Sequence, residues 1–227
     1  MLLQEGVVKN MYEKIKEMLM SDGAVFVGCS YQEETPFPGL NYCITFGIKL
    51  SSAIVDTISE DGPSKTYFHH YRTVNTRLDQ MALSAVIELE KAGFNGANIP
   101  ASQSTEGTRG LFSHKKAAVD AGLGWIGKSA LFISRETGPL VRLATVFTDM
   151  PLKCEEHIYE DGCKDCDICK KMCPSGAISG KTWEKDINFT DFFDAELCSH
   201  YMKEHFKDIG RGAVCGICMR FCKYNKK

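Results

Sequence analysis

Eight of the eleven cysteines fall between Cys163 and Cys222, and their spacing constrains the chain more than any other feature. The run Cys163-Lys-Asp-Cys166-Asp-Ile-Cys169-Lys-Lys-Met-Cys173-Pro174 has gaps of two, two and three residues and closes on proline. Two-residue gaps let a tight loop point successive sulfurs and backbone N–H groups at one centre, after which the proline turns the chain away. A second run, Cys215-Gly-Ile-Cys218-Met-Arg-Phe-Cys222, follows, with Cys198 between the two.

This is the double [4Fe–4S] ferredoxin spacing, in which three thiolates of a run hold one cubane and the fourth reaches its neighbour. The arithmetic predicts one cluster on Cys163, Cys166, Cys169 and Cys222, and a second on Cys173, Cys198, Cys215 and Cys218, with no ligand left over. A two-zinc module is the alternative. Zinc sites usually draw their ligands as separated pairs, and three evenly spaced cysteines followed by Cys-Pro favour iron–sulfur. Cys29 and Cys43 sit in apolar runs, where a free thiol packs as a small hydrophobe, and nothing in the spacing of Cys154 makes it a ligand.

The cysteine-rich tail is too small to build a large core, so the expectation is a metal-organised module behind a conventional domain. A turn-like Asp149-Met150-Pro151 meets a charged stretch here, giving an α/β domain over 1–152 and a ferredoxin-like double-cluster domain over 153–227. In the first, Val8, Met11, Tyr12, Ile15, Met18 and Leu19 keep a helical period, as do Val74, Leu78, Met81, Ala82, Ala85, Leu89 and Ala92 up to Gly93. Ser113 reads as the N-cap of a short helix from His114 to Ala121, ended by Gly122. Ala24–Cys29, Asn41–Leu50, Ala130–Ile133 and Val141–Phe147 read as strands. Helices and strands alternate without the regularity of a doubly wound sheet.

With a net charge of −2 the chain lacks the basic balance of a nucleic-acid binder, and no run reaches the roughly 20 apolar residues of a membrane span. No secretory signal is visible, so the expected compartment is the cytoplasm, where cysteines serve as ligands or catalysts rather than disulfides. Gly122-Leu-Gly124-Trp125-Ile-Gly127 matches the dinucleotide-binding pattern G-x-G-x-x-G. That fingerprint must follow a strand and open a helix, and here a helix precedes it and a strand follows. The glycines read instead as positions where the backbone approaches another group closely.

Three segments then acquire a joint meaning. Ser113-His114-Lys115-Lys116-Ala117-Ala118, Ala121 to Lys128, and Thr148-Asp-Met-Pro-Leu152, followed by the eight cysteines, resemble the epoxyqueuosine reductase family, which is related to the corrinoid-dependent reductive dehalogenases. The chain looks like a short form without the family's C-terminal tRNA-binding repeats. The resemblance implies a nitroreductase-like α/β domain that binds cobalamin, abutting the double-cluster domain. Electrons from an external donor such as ferredoxin or flavodoxin would pass through the clusters to cobalt, giving a Co(I) reductant for a small-molecule substrate. His114, Gly122, Gly124, Trp125, Gly127 and Lys128 are the implied cofactor-binding residues.

The segment Glu106-Gly-Thr108-Arg109-Gly110 departs from the family, whose proposed proton-donating aspartate lies about there. No catalytic residue is therefore assigned. Two other readings stay open: an electron-transfer protein serving a separate corrinoid protein, and a reductase using FMN on the same scaffold. His69-His70-Tyr71-Arg72 is a further candidate pocket segment, while His200 and His205 read as surface residues because the cysteines already complete both clusters.

Overall fold

The computed structural model describes residues 2–103, 107–108, 110–157, 159, 161–185 and 187–225, with side chains from residue 5 onward. Helix α1 (Leu2–Ser21) leads into strands β1 (Phe26–Tyr31) and β2 (Tyr42–Lys49), then the short α2 (Ser52–Val55) and the long α3 (Lys65–Lys91). Strand β3 (Gly96–Asn98), helix α4 (His114–Asp120), the β4 (Gly124–Ile126) and β5 (Phe132–Ser134) hairpin and strand β6 (Val141–Thr148) complete the α/β body. The cysteine-rich segment carries only short helices: α5 (Ile168–Met172), α6 (Phe189–Phe192), α7 (Ala195–His205) and α8 (Ile217–Arg220).

A four-stranded sheet in the order β1-β2-β6-β3 organises the body, and every neighbouring pair is antiparallel. Alternation along the strands gives it two different faces. Val27, Ile44, Phe46, Ala144 and Val146 point into the main core with Val8, Ile15 and Leu19 of α1 and Leu78, Met81, Ala85 and Leu89 of α3. Phe26, Val141 and Leu143 point the other way, onto Ala118 and Val119 of α4 and the Ile126–Phe132 hairpin. The mixed α/β class expected from the sequence is what the chain adopts.

Local chemistry sets the helix ends. Ser64 Oγ accepts from the Tyr67 N–H at 2.9 Å, so α3 begins nearly three turns before its apolar stripe, and Gly93 closes it at φ 86°. Ser113 caps α4 as its sequence predicts, accepting from the Lys116 N–H at 3.3 Å. The strand expected from Ala130 starts only at Phe132, because Ala130 takes a left-handed φ of 58° in the turn after β4. It pairs with β4 in a separate hairpin rather than joining the main sheet.

The cysteine-rich segment shares its apolar side chains with the body. Phe206, Val214, Ile217 and Met219 belong to the main core and Phe192 to the second. The end of the chain is thereby held against α3 and the sheet.

Candidate functional site

The loop that opens the cysteine run is organised by Asp161. Its Oδ1 accepts from the Cys163 N–H at 2.8 Å, and its Oδ2 accepts from the Lys164 N–H at 3.2 Å and the Thr182 hydroxyl at 3.0 Å. Cys166 N–H then donates to the Cys163 carbonyl at 3.0 Å, which makes the tight turn the spacing predicts. Downstream, Cys215 and Cys218 flank the start of α8, entered through Gly216 at φ 88°. Cys198 lies on α7, whose first turn is capped by Asp194 accepting from the Leu197 N–H at 2.8 Å.

The thiols influence one another in two groups. Burial pushes Cys169 up to about 11, helped by Cys163, Cys222 and Cys166, and burial pushes Cys222 to about 11 with help from Cys163 and Cys166. Burial likewise raises Cys198 to about 11, with Cys215 and Cys173 adding to it, and Cys218 rises for the same reasons through Cys215, Cys198 and Cys173. The electrostatic neighbourhoods are thus Cys163/166/169/222 and Cys173/198/215/218, with Cys169 the member of the first that also raises Cys218. Among the described residues no three His, Cys, Asp or Glu side chains approach closely enough to share a single metal ion. Like charges crowded in poorly solvated space explain the raised thiols, and a cationic centre would reverse that preference.

A cavity of about 470 Å³ has the second group, Cys173, Cys198, Cys215 and Cys218, as one wall. Tyr67 and Tyr71 of α3, His114 and Lys115 of α4, and Arg142 of β6 line it elsewhere. Arg142 is fixed on three sides: Nε donates to Asn75 Oδ1 at 2.9 Å, and Nη2 reaches the Tyr71 hydroxyl at 3.3 Å and the Ala101 carbonyl at 3.4 Å. Its guanidinium also lies 4.4 Å from the Tyr71 ring centroid. Burial raises the Tyr71 phenol, but Arg142 and hydrogen bonds with Ser102 and Asn75 outweigh it and hold the group below its ordinary value.

Lys115 is half-buried as a residue, but its ammonium is enclosed, donating to the Ala130 carbonyl at 2.7 Å. Burial, then Arg142, lowers it to about 8. Burial also holds His114 down at about 4, against the pull of the Pro100 carbonyl. A carbonyl can only accept, so His114 Nε2 donates to Pro100 O at 3.4 Å and Nδ1 accepts from the Thr145 hydroxyl at 3.0 Å, fixing a neutral tautomer. Thr145 meets Thr45 across β2 and β6 at 3.1 Å. A larger, more open cavity of about 1070 Å³ adjoins the first at Tyr71, Ser102, Cys198 and Met202, and Arg72, Lys203 and Arg211 rim it.

Of the six implied cofactor-binding residues, only His114 reaches the cavity. The glycine loop packs on the protein itself. A Cβ on Gly122 would collide with the His157 ring, one on Gly124 with the Ile133 carbonyl, and one on Gly127 with the Ile133 side chain. Trp125 lies over Gly162 and meets Tyr224 edge to face at 5.1 Å, and Lys128 Nζ donates to the Lys164 carbonyl. The close approach that the glycines permit is therefore to β5 and the first cysteine loop, not to the cavity. As a strand that follows a helix, Gly124–Ile126 also has none of the dinucleotide-binding context.

The four-residue segment on α3 divides. Tyr71 lines both cavities and Arg72 the larger one; His70 Nε2 accepts from the Ser51 N–H at 3.0 Å, and His69 is exposed. His200 pairs with Glu204 at 3.3 Å and His205 stacks on Tyr201 at 4.0 Å, so neither serves the cysteines. Glu106 and Arg109 lie outside the described residues. Lys115 and Arg142 are the site residues that sequence reasoning passed over. A lysine in a Lys-Lys pair and an arginine inside a strand carry no local mark of burial.

No family model matches the chain. Sequence relatives do exist. An epoxyqueuosine reductase of Pseudomonas aeruginosa is 28% identical over 181 residues, which cover 72% of this chain and 45% of that protein. A tetrachloroethene reductive dehalogenase of Sulfurospirillum multivorans is 34% identical over 128 residues, covering 48% of this chain and 23% of the relative. The chain thus spans less than half the length of these curated relatives. Among solved structures, an epoxyqueuosine reductase superposes with a TM-score of 0.65 at 18% identity, over 96% of this chain and 66% of that one. A structure described as suggesting a mechanism for B12-dependent dehalogenation superposes with a TM-score of 0.69 at 20% identity, over 90% of this chain and 30% of that one. The resemblance carried by the 113–152 segments and the cysteines is borne out, and the shared fold extends over nearly the whole chain. Among the described residues no helix is long and apolar enough to cross a membrane.

Proposed function

On the premise that this chain is a homologue of the epoxyqueuosine reductases and reductive dehalogenases, we propose that it is a cytoplasmic iron–sulfur reductase acting on a small substrate with the help of cobalamin. The observation that carries this reading is the shared wall: Cys173, Cys198, Cys215 and Cys218 border the same cavity as Tyr71, His114, Lys115 and Arg142. A redox centre on those thiols is adjacent to the space where a substrate would sit. Two [4Fe–4S] clusters fit the donor set, since the eight thiols influence one another as two groups of four.

For cobalamin the fit rests on space and on the named relative, because the adjoining cavity of about 1070 Å³ is at the upper end of ligand sites. If bound there, cobalamin would supply a strongly reducing cobalt, and clusters on the two cysteine quartets would relay electrons from an external donor such as ferredoxin or flavodoxin. The chain's own residues do the rest. Arg142 and Ser102 fix the Tyr71 hydroxyl, and Lys115 holds a proton at Nζ that burial makes easier to release. Either group can protonate a substrate as it accepts electrons, in the role left open at 106–110. His114 stays neutral and braces the start of α4 against β6.

Anaerobic purification and reconstitution with cobalamin test the reading. The expected result is about eight irons and eight sulfides per chain, no zinc, and cobalt that co-elutes with the protein. Loss of corrinoid on gel filtration, with reduction only of an added corrinoid protein, would favour an electron-transfer role. A flavin spectrum in the extracted cofactor would replace cobalamin by FMN, which the named relatives do not support.

A further inference from the structure

Three cysteines stand apart from the two quartets, and they are not equivalent. Cys43 is fully buried within the β2 side of the sheet beside Phe147, and burial, then Asp120, pushes its thiol up to about 12. Cys29 and Cys154, 125 residues apart in sequence, are each half-buried and pack against the same apolar core. Cys29 lies on β1, the edge strand of the sheet. Cys154 lies in the irregular segment after β6, between exposed Lys153 and Glu155. Cys29 Sγ donates to the Lys153 carbonyl at 3.7 Å, which brings the backbone next to Cys154 against β1.

We propose that Cys29 and Cys154 form a reversible dithiol/disulfide centre, separate from the cluster ligands, that exchanges with small-molecule disulfides. The Cys29 Sγ contact with the Lys153 carbonyl places the neighbouring Cys154 beside β1, so closing an S–S bond of roughly 2.05 Å asks for adjustment in the irregular segment around residue 154 rather than in the sheet. The pair is asymmetric. The hydrogen bond from Cys154, then that from Tyr12, lowers Cys29, with Lys16 favouring and Glu155 opposing its thiolate. The same partnership raises Cys154, so Cys29 is the attacking sulfur and Cys154 the resolving one.

The steps balance as ordinary thiol–disulfide exchange. Cys29 thiolate attacks a disulfide RS–SR, forming Cys29–S–S–R and releasing RS⁻. Cys154 thiol then displaces the second RS⁻, losing its proton and forming the Cys29–Cys154 bond. The protein is oxidised by two electrons and the small disulfide is reduced to two thiols. Oxidation ties the segment leading into the cysteine-rich region to β1.

Holoprotein with intact cluster absorbance, incubated anaerobically in glutathione buffers of graded potential and alkylated, tests this by peptide mapping. A cross-linked peptide pair containing residues 29 and 154, the loss of two alkylatable thiols and unchanged iron content are expected. Cys154→Ser should arrest the reaction with glutathione attached at residue 29, whereas Cys29→Ser should leave Cys154 free. Full alkylation of both residues in wild-type protein across all buffers would overturn the proposal. So would a cross-link that uses a cluster cysteine, or glutathione attached first to Cys154. None of these readouts depends on cobalamin or on turnover.

Discussion

The α/β body and the cysteine-rich segment are held together by different means. In the body, Phe46, Phe147, Leu78, Leu89 and Ile44 are essentially inaccessible, and an antiparallel sheet fixes the register of Ile44, Phe46 and Phe147. The segment has short helices, the longest of 11 residues, and its best-buried side chains complete cores that the body founded. Burial stabilises the body outright, while under the proposed function the segment relies on clusters held by its thiols. The largest effect should expose that asymmetry. If the proposed clusters are bound, Cys215→Ser removes a ligand next to Val214 and Ile217, which sit in the main core, so about four of eight irons should be lost and the whole chain should unfold at lower temperature. Cys166→Ser removes a ligand from the other quartet and should also lose about four irons, yet leave the thermal transition of the body in place. Iron analysis with calorimetry separates the two, and equal effects on the body would erase the distinction.

The converse experiment is a cavity in the body. Phe46 is inaccessible and packs between the sheet and the long helix, so Phe46→Ala should cost about 3–5 kcal/mol in urea unfolding. Chains that still fold should keep full iron content. Iron loss in parallel with stability would mean that the segment depends on body packing far more than its own ligands suggest.

The two regions were also legible in the sequence to different degrees. Turn geometry is local, since it is determined within a few residues, and the tight Cys163–Cys166 turn could be read directly from the spacing. The α3 stripe, the Ser113 cap and the Gly93 stop are local in the same way. Strand β3 escaped because Gly96-Ala-Asn98 has no apolar or β-branched signal, and only pairing with β6 makes it a strand. The cavity was the least legible part. Tyr71 and Arg142 stand 71 residues apart, and only the packing of α3 on β6 joins them. The glycine loop carried a strong pattern whose partners, Ile133 and His157, could not be known before the hairpin and the segment were placed.

A smaller effect belongs to the body alone and shows through pH. His114 is held at about 4 chiefly by burial, against an ordinary value of 6.5. The unfolded chain therefore binds an extra proton between those values, and stability falls as pH drops from 6.5 towards 4. His114→Gln should flatten that part of the stability curve by on the order of 2 kcal/mol, as urea midpoints at pH 7 and pH 4.5 would measure. Identical acid slopes in wild type and variant would mean that His114 is hydrated rather than enclosed.

The smallest change draws the sharpest contrast, because the same chemistry can be deleted in both regions. Ser64 caps the 27-residue α3 and Asp194 caps the 11-residue α7, each by accepting one backbone N–H. Replacing either by alanine should cost about 1 kcal/mol. In α3 that loss is diluted over a helix whose buried face runs from Tyr67 to Leu89, so Ser64→Ala should lower the melting temperature and nothing else. In α7, no residue is fully buried and the capped turn carries Cys198, so fraying that turn displaces a ligand of the proposed second cluster. Asp194→Ala should therefore bleach cluster absorbance faster under a chelator while shifting the body's transition little. If both variants kept their clusters equally long, the thiols of the second quartet would be held by the body's packing and not by the segment's own short helices.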